Sequence, residues 1–389
     1  MEPEEMKRKE AIMRYINKER PVDIYRDLEK NKRWFYFWLN KYKSGEDDWF
    51  KDKPKKNKVV HNKISSEIED IICELRRKLM KTKYSQIGAL KIQWELKKLG
   101  IDDIPPIWTI NRIIKRNKLI KGANKYIKKS KEYPSVDITR INELHQLDLV
   151  GPRYIGKGRN NKIYSFNIID AFSNHVYIMP YNGKRDEYAI EVLISAWKEI
   201  GIPKYLQVDN ELSFKGSNRH PRSFGKVIRL CLYLGVEIIF IPESEPWRQG
   251  IIERFNNVYD KTFFREQKFK DLQHLKDESI IFSNFHNQNH SYSKLKGRTP
   301  SKVHTCRKKD KLKKNFKIKH EIPFREGKIA FVRLSDSKGC IRFFSESFMI
   351  DKSLPNVYMK GEICTNKQIL NIYHDGILIK SLDYKINKR

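Results

Sequence analysis

The sequence predicts a multidomain chain: an N-terminal all-α region of helix-turn-helix units, a central α/β core around a mixed five-stranded sheet, and a small C-terminal β-barrel. Three observations predict it. The apolar spacing is helical as far as Asn117 and changes to short alternating or continuous runs from Leu144 onward. The length, 389 residues, fits two or three domains rather than one. Eighty Lys and Arg against forty-eight Asp and Glu leave a net charge of +32, spread along the whole chain. A surplus of that size implies a polyanionic partner, nucleic acid first.

Composition also excludes classes. With 39% hydrophobic and 12% aromatic residues the chain is too apolar for a disordered basic protein. No run approaches the roughly 18 apolar residues of a membrane span, and the opening MEPEEMKRKE lacks the apolar core of a signal peptide. The expectation is a soluble, cytoplasmic protein with no membrane partner. Cys73, Cys231, Cys306, Cys340 and Cys364 are odd in number, scattered and free of CxxC spacing, so they read as reduced, mostly buried small hydrophobes.

Residues 1–58 are read as the first domain, a helix-turn-helix unit with its linker. Helical patterns run over Lys7–Lys18, Val22–Leu28 after a Pro21 start, and Lys32–Lys43. The last, basic at Lys32 and Arg33, is the helix offered to a DNA groove. Residues 59–136 form the second unit. Ser65 and Ser66 precede Glu67 and Glu69 as an N-cap with an acidic first turn, and helices follow over Ser85–Leu99 and Trp108–Asn117. The final helix carries Asn111, Arg112 and Lys115 as candidate DNA contacts. The stretches 45–63 and 118–136 read as a linker and a basic tether.

Residues 137–305 form the core. HQLDLV, KIYSFNIID and HVYIMPY are three strands in close succession, hence antiparallel neighbours. A helix over Asp186–Ile200, the strand YLQV, a helix over Arg222–Leu234, the strand VEIIF and a helix from Ile251 complete a mixed sheet with helices on its faces. Residues 306–389 contain five strand-like runs, Gly327–Leu334, Cys340–Phe344, Val357–Ile363, Ile369–Tyr373 and Ile377–Leu382, read as a small SH3-like β-barrel.

Three acids stand out by position. Asp148 lies inside the first strand, Asp209 ends YLQV at the carboxyl edge where open α/β sheets present ligands, and Glu253 lies in the first turn of the helix after PESEPWRQG. Carboxylates converging there would raise each other's pKa. Hard divalent cations remove that cost, and two of them about 3.5 to 4 Å apart can clamp the attacking and leaving oxygens of a phosphodiester. His286 and His290, four apart, could chelate zinc, but no Cys or acid completes a set.

The segments HQLDLVGP, QVDNELSF and PWRQGIIERFNN resemble the three acidic blocks of the DDE transposases and retroviral-type integrases, bacterial insertion-sequence transposases above all. The resemblance covers nearly the whole chain. It implies a ribonuclease H-like core and assigns Asp148, Asp209 and Glu253 as the catalytic, metal-binding triad with Mg²⁺ or Mn²⁺, two ions per site. It implies double-stranded DNA as partner, both element ends and target, a homo-oligomer assembled on DNA, 3′-end cleavage and strand transfer. Asn257 and Lys261 on the Glu253 helix and Arg248 before it become candidate DNA contacts. The sequence departs from the family at Glu211, where Gly is usual, and in the long basic loop around KGSNRHPRSFGK. Asp170 is a further acid near the sheet edge, read as a turn cap. The rival readings are a catalytically inactive, domesticated DNA-binding regulator, and a nuclease without strand transfer.

Overall fold

The computed structural model describes residues 3–45, 47–52, 64–120, 133–156, 161–216, 222–318, 321–344 and 346–387. Most of the expected linker and tether, and the centre of the basic loop in KGSNRHPRSFGK, lie outside these. The chain divides into two compact units, Met1–Ser65 and Ser66–Arg389.

In the first unit, helices α1 (Pro3–Ile16), α2 (Pro21–Asp27) and α3 (Lys32–Lys43) pack Ala11, Ile12, Ile24, Leu28, Phe35 and Leu39 into a small core. Pro21 starts α2 where a missing N–H costs nothing. Asn31 caps α3, its side-chain oxygen accepting from the Trp34 N–H at 2.8 Å.

The second unit opens with three helices, α4 (Ser66–Lys81), α5 (Ala89–Lys98) and α6 (Ile107–Arg116), which bury Ile72, Ile92, Leu96, Ile110, Ile113 and Ile114. Strands β1 (Leu144–Ile155), β2 (Asn161–Asp170) and β3 (Val176–Tyr181) form the expected antiparallel group. Next come α7 (Asp186–Glu199), β4 (Tyr205–Val208), the single turn α8 (Leu212–Lys215), α9 (Lys226–Tyr233) and β5 (Glu237–Phe240). β4 pairs parallel to β1, and β5 parallel to β4. Helix α10 (Gly250–Tyr259) runs into a π-helical turn at Asp260–Phe264, then α11 (Leu272–Asn289) and α12 (Pro300–Val303).

The C-terminal strands depart from expectation. β6 (Lys328–Leu334) pairs parallel to β5, with Ile238 opposite Ile329, and β9 (Tyr358–Cys364), β10 (Ile369–His374) and β11 (Ile377–Asp383) follow antiparallel. Only β7 (Cys340–Phe343) and β8 (Glu346–Met349) stand apart, as a hairpin. The expected five-stranded sheet is therefore nine-stranded, in the order β11-β10-β9-β6-β5-β4-β1-β2-β3, and these strands do not close on themselves as a separate barrel. The physical reason is the edge of β5. That strand is buried along three of its four residues and leaves a row of backbone donors and acceptors to be paired. The apolar run in β6 supplies them, so one hydrophobic core extends from Leu147 and Phe166 through Phe240 to Phe331, Met359 and Ile372.

All five cysteines are free, with Cys73, Cys231 and Cys364 buried. Among the described residues no helix is long and apolar enough to cross a membrane.

Candidate active site

The site is built where β1, β4 and α10 meet. Gln146 on β1 and Gln207 on β4 stand opposite each other in parallel register, and the Gln146 side-chain N–H donates to Gln207 Oε1 at 2.7 Å. Two residues further along each chain, on the same face, come Asp148 and Asp209. The free oxygen of the Gln146 amide accepts the backbone N–H of Ile252 at 2.9 Å, which fastens the first turn of α10, and with it Glu253, beside β1. One turn on, Asn256 Nδ2 donates to Asp148 Oδ2 at 2.6 Å while its oxygen accepts from Asn167 Nδ2 at 2.8 Å. Asn167 faces Asp148 across the β1–β2 ladder and accepts from Ser165 Oγ at 2.7 Å. Two amide relays therefore hold the helix against two strands.

Asp148 feels the charge of Glu253, and Asp209 that of Asp148. Asp148 is pushed above the ordinary carboxylate range by burial and by the charge of Glu253, although the Leu149 N–H and Asn256 donate to it. Asp209 rises to about 6, mainly through burial, with Asp148 and Glu211 adding to the effect. Burial also raises Glu253. Among the described residues none of the three forms an ion pair with Lys or Arg, and Lys184, bound to Glu211, offsets the Asp209 charge only in part. That donor chemistry, hard oxygens short of positive charge, fits Mg²⁺ or Mn²⁺. Among the described residues no group of three or more His, Cys, Asp or Glu is disposed around a single metal position. Magnesium does not require one, since it is commonly held by one or two carboxylates, waters and substrate phosphates.

The neighbouring acids have other tasks. Glu211 caps α8, receives Lys184 at 3.0 Å, and donates its backbone N–H to Asp209 Oδ1 at 3.0 Å. Asp170 is fully buried and accepts from the Ser173 N–H and Oγ at 2.7 and 2.6 Å and from the Asn142 N–H at 2.7 Å, so it holds a turn. His145 and His304 beside it hold its carboxyl well below the ordinary range against the opposing effect of burial. His286 and His290 are spent on Tyr292 OH and the Tyr84 carbonyl, each at 2.7 Å.

The expected DNA contacts divide. Lys32 and Arg33 are exposed on α3 in the first unit. In the second unit Asn111, Arg112 and Lys115 form an exposed stripe on α6 with Trp108, which is 60% exposed and lies 5.7 Å from the Arg112 guanidinium. The sequence reading passed over Trp108, although its spacing of three, four and seven from the other three was visible. Asn257 and Lys261 are exposed, but Lys261 lies within the π-helical turn and Asn257 on α10 before it. Arg248 is turned inward. Its guanidinium sits 4.2 Å from the Tyr133 ring and 4.6 Å from the Tyr358 ring and donates to Glu245 at 2.9 Å, which leaves little to offer a phosphate. Trp247, beside it in that loop, is exposed. Sequence reasoning also missed Gln146 and Gln207, whose signal was an amide at a buried position on an otherwise apolar strand.

No family model matches the sequence, and no curated protein matches it. Among solved structures, the HTLV-2 integrase catalytic core domain in complex with magnesium is similar at 17% identity and a TM-score of 0.34, over 42% of this chain and 97% of that one. The catalytic core domain of BIV integrase is similar at 16% identity and a TM-score of 0.32, over 42% and 93%. A chain of the simian T-cell lymphotropic virus intasome, in complex with PP2A regulatory subunit B56 gamma, is similar at 15% identity and a TM-score of 0.37, over 76% and 94%. Likeness at this level carries no functional argument, which rests on the chain's own residues.

Proposed function

We propose that this chain is a DNA transposase or integrase that binds the terminal repeats of an element, cleaves at its 3′ ends and joins those ends to target DNA. One observation carries the reading: Asp148, Asp209 and Glu253, from three separate elements at one edge of the sheet, are all raised by burial, Glu253 acts on the charge of Asp148 and Asp148 on that of Asp209, and among the described residues none of the three is ion-paired. Such a cluster is costly in a protein that has no use for it. Bound there, Mg²⁺ or Mn²⁺ would supply the charge neutralisation and oxygen activation that phosphodiester cleavage and transfer require.

The chain's own residues would then divide the work. Asp148 and Asp209 present carboxylate oxygens from adjacent strands, and Glu253 presents a third from α10. Asn256 fixes the Asp148 rotamer by donating to one of its oxygens, leaving the other turned toward the backbone N–H of Leu149. The net charge of +32 draws the DNA polyanion in. The exposed stripes of α3 and α6 would contact element ends, and pairing of two ends requires at least two copies of the chain on DNA.

The test is strand joining. Purified protein is incubated with Mn²⁺ and a labelled duplex carrying the DNA that flanks its own gene, beside Asp209→Asn. Joined products with the parent and none with the variant are expected. Sequence-specific binding by both proteins, with neither cutting nor joining, would overturn the reading.

A further inference from the structure

Arg333 lies on β6, far along the chain from the acids, and is only 6% exposed. Four of its five N–H donors are engaged: Nη1 with the carbonyls of Ile241 and Val332, both at 2.8 Å, Nη2 with Asn210 Oδ1 at 2.6 Å, and Nε with the Arg342 carbonyl at 3.1 Å. The rings of Phe331 and Phe343 lie 5.5 Å away. Every acceptor is a neutral oxygen. A cation buried this way is costly, and burial depresses its pKa to about 10. The arrangement gains no salt bridge, so what it gains is geometry.

The geometry it fixes is that of the acid-bearing edge. Ile241 is the first residue after β5, and Asn210 is the second after β4, next to Asp209. Asn210 Nδ2 donates to the same Ile241 carbonyl at 2.7 Å, so its amide is held at both ends. The Ile241 N–H in turn donates to the Val208 carbonyl at 3.1 Å. The guanidinium therefore ties together the ends of two parallel strands at the point where Asp209 leaves the sheet.

We propose that Arg333 is a positioning residue for Asp209, acting through Asn210 and Ile241, so that the C-terminal strands are a structural part of the acid-bearing edge. The role given to Asp209 rests on the function proposed above; the link itself does not. A consequence is that the chain cannot be cut before β6 and keep an ordered site.

The experiment uses the full-length chain and compares Arg333→Lys, which keeps a charge but cannot span four separated acceptors, with Asn210→Ala, which breaks the same link while leaving the three carbonyl acceptors of the guanidinium in place. Three quantities are read: Mn²⁺ affinity by titration calorimetry, hydrogen exchange of residues 208–213, and kcat and KM for strand joining. Both variants are expected to lose about tenfold or more in Mn²⁺ affinity, as residues supporting metal ligands do. Exchange should accelerate at 209–211 with β2 unchanged, and kcat should fall while KM for DNA holds. The double variant should be no worse than the worse single, since both break one link. Folded variants with unchanged affinity and unchanged exchange, or losses that add, overturn the proposal. Parent protein that neither binds Mn²⁺ nor joins DNA would sink the functional reading alone, and exchange at 209–211 would still decide whether Arg333 positions Asp209.

Discussion

Replacing Asp209 by Asn is expected to abolish activity and, in the absence of metal, to make the protein more stable. The carboxyl rises from an ordinary 3.8 to about 6 on folding, chiefly because its ionised form loses water, and Asp148 pushes in the same direction. A carboxyl with a raised folded pKa binds its proton more tightly in the native state than in the unfolded one. Its stability contribution is therefore complete below pH 3.8 and lost as pH rises through about 6. About two pKa units amount to roughly 3 kcal/mol. Part of the carboxylate is still reached by water, so about 2 kcal/mol is the working figure. Asn keeps the oxygen that accepts the Glu211 N–H and removes the charge. Urea unfolding in EDTA should show the variant about 2 kcal/mol more stable at pH 7.5, with the difference shrinking toward zero near pH 4. Because both proteins are compared at each pH, titrating groups remote from Asp209 cancel. A variant that is equally stable or less stable at pH 7.5, or a difference independent of pH, would refute the argument that folding raises the Asp209 carboxyl. Adding Mn²⁺ should then favour the parent, since ligand binding stabilises only the form that binds.

Other perturbations test other parts. Asn256→Ala removes two relay bonds, one to a carboxylate, and strands Asn167; a loss of about 2 to 3 kcal/mol in denaturant unfolding is expected, together with a fall in joining activity. Gly361 faces Phe331 across the β6–β9 ladder, and a Cβ there would lie 2.1 Å from the ring, so Gly361→Ala should lower stability by about 1 to 3 kcal/mol; an unchanged melting temperature would show the ring can move freely. Trp108→Ala and Lys115→Ala on exposed α6 should leave the melting temperature alone but weaken DNA binding, and the Lys115 change should reduce the salt slope by about one, as measured by fluorescence anisotropy. Asp170→Asn replaces one of two accepting oxygens with an amide donor, which then faces either the Asn142 N–H or the two Ser173 donors at a buried turn, and should cost about 2 to 4 kcal/mol of stability while Mn²⁺ affinity of the folded protein is retained.

Much of the chain was legible in its sequence because local rules decide it. Helix α3 and strand β4 begin and end where spacing and caps place them, and the three acids were found from the strands and helix that carry them. Asp170 could be read as a turn cap because it ends a strand ahead of Ser173. Periodicity states that a segment is a strand and which face it buries; it does not name the strand beside it. For that reason β6 and its followers were read as a barrel of their own, whereas the buried edge of β5 captured them into one nine-stranded sheet.

Side-chain partners across that distance were equally invisible. Arg248 read as a free cation before the helix because Tyr133 and Tyr358, remote in sequence, are the rings that enclose it. Nothing local marks Arg333 on its strand, yet it reaches Asn210, 123 positions away. The sequence by itself determined which residues could carry chemistry, since residue type, strand ends and helix turns are local properties. Only the tertiary structure decided which of them are held, by what, and at what cost in charge, because burial and hydrogen bonding between distant segments exist only once the sheet has closed its register.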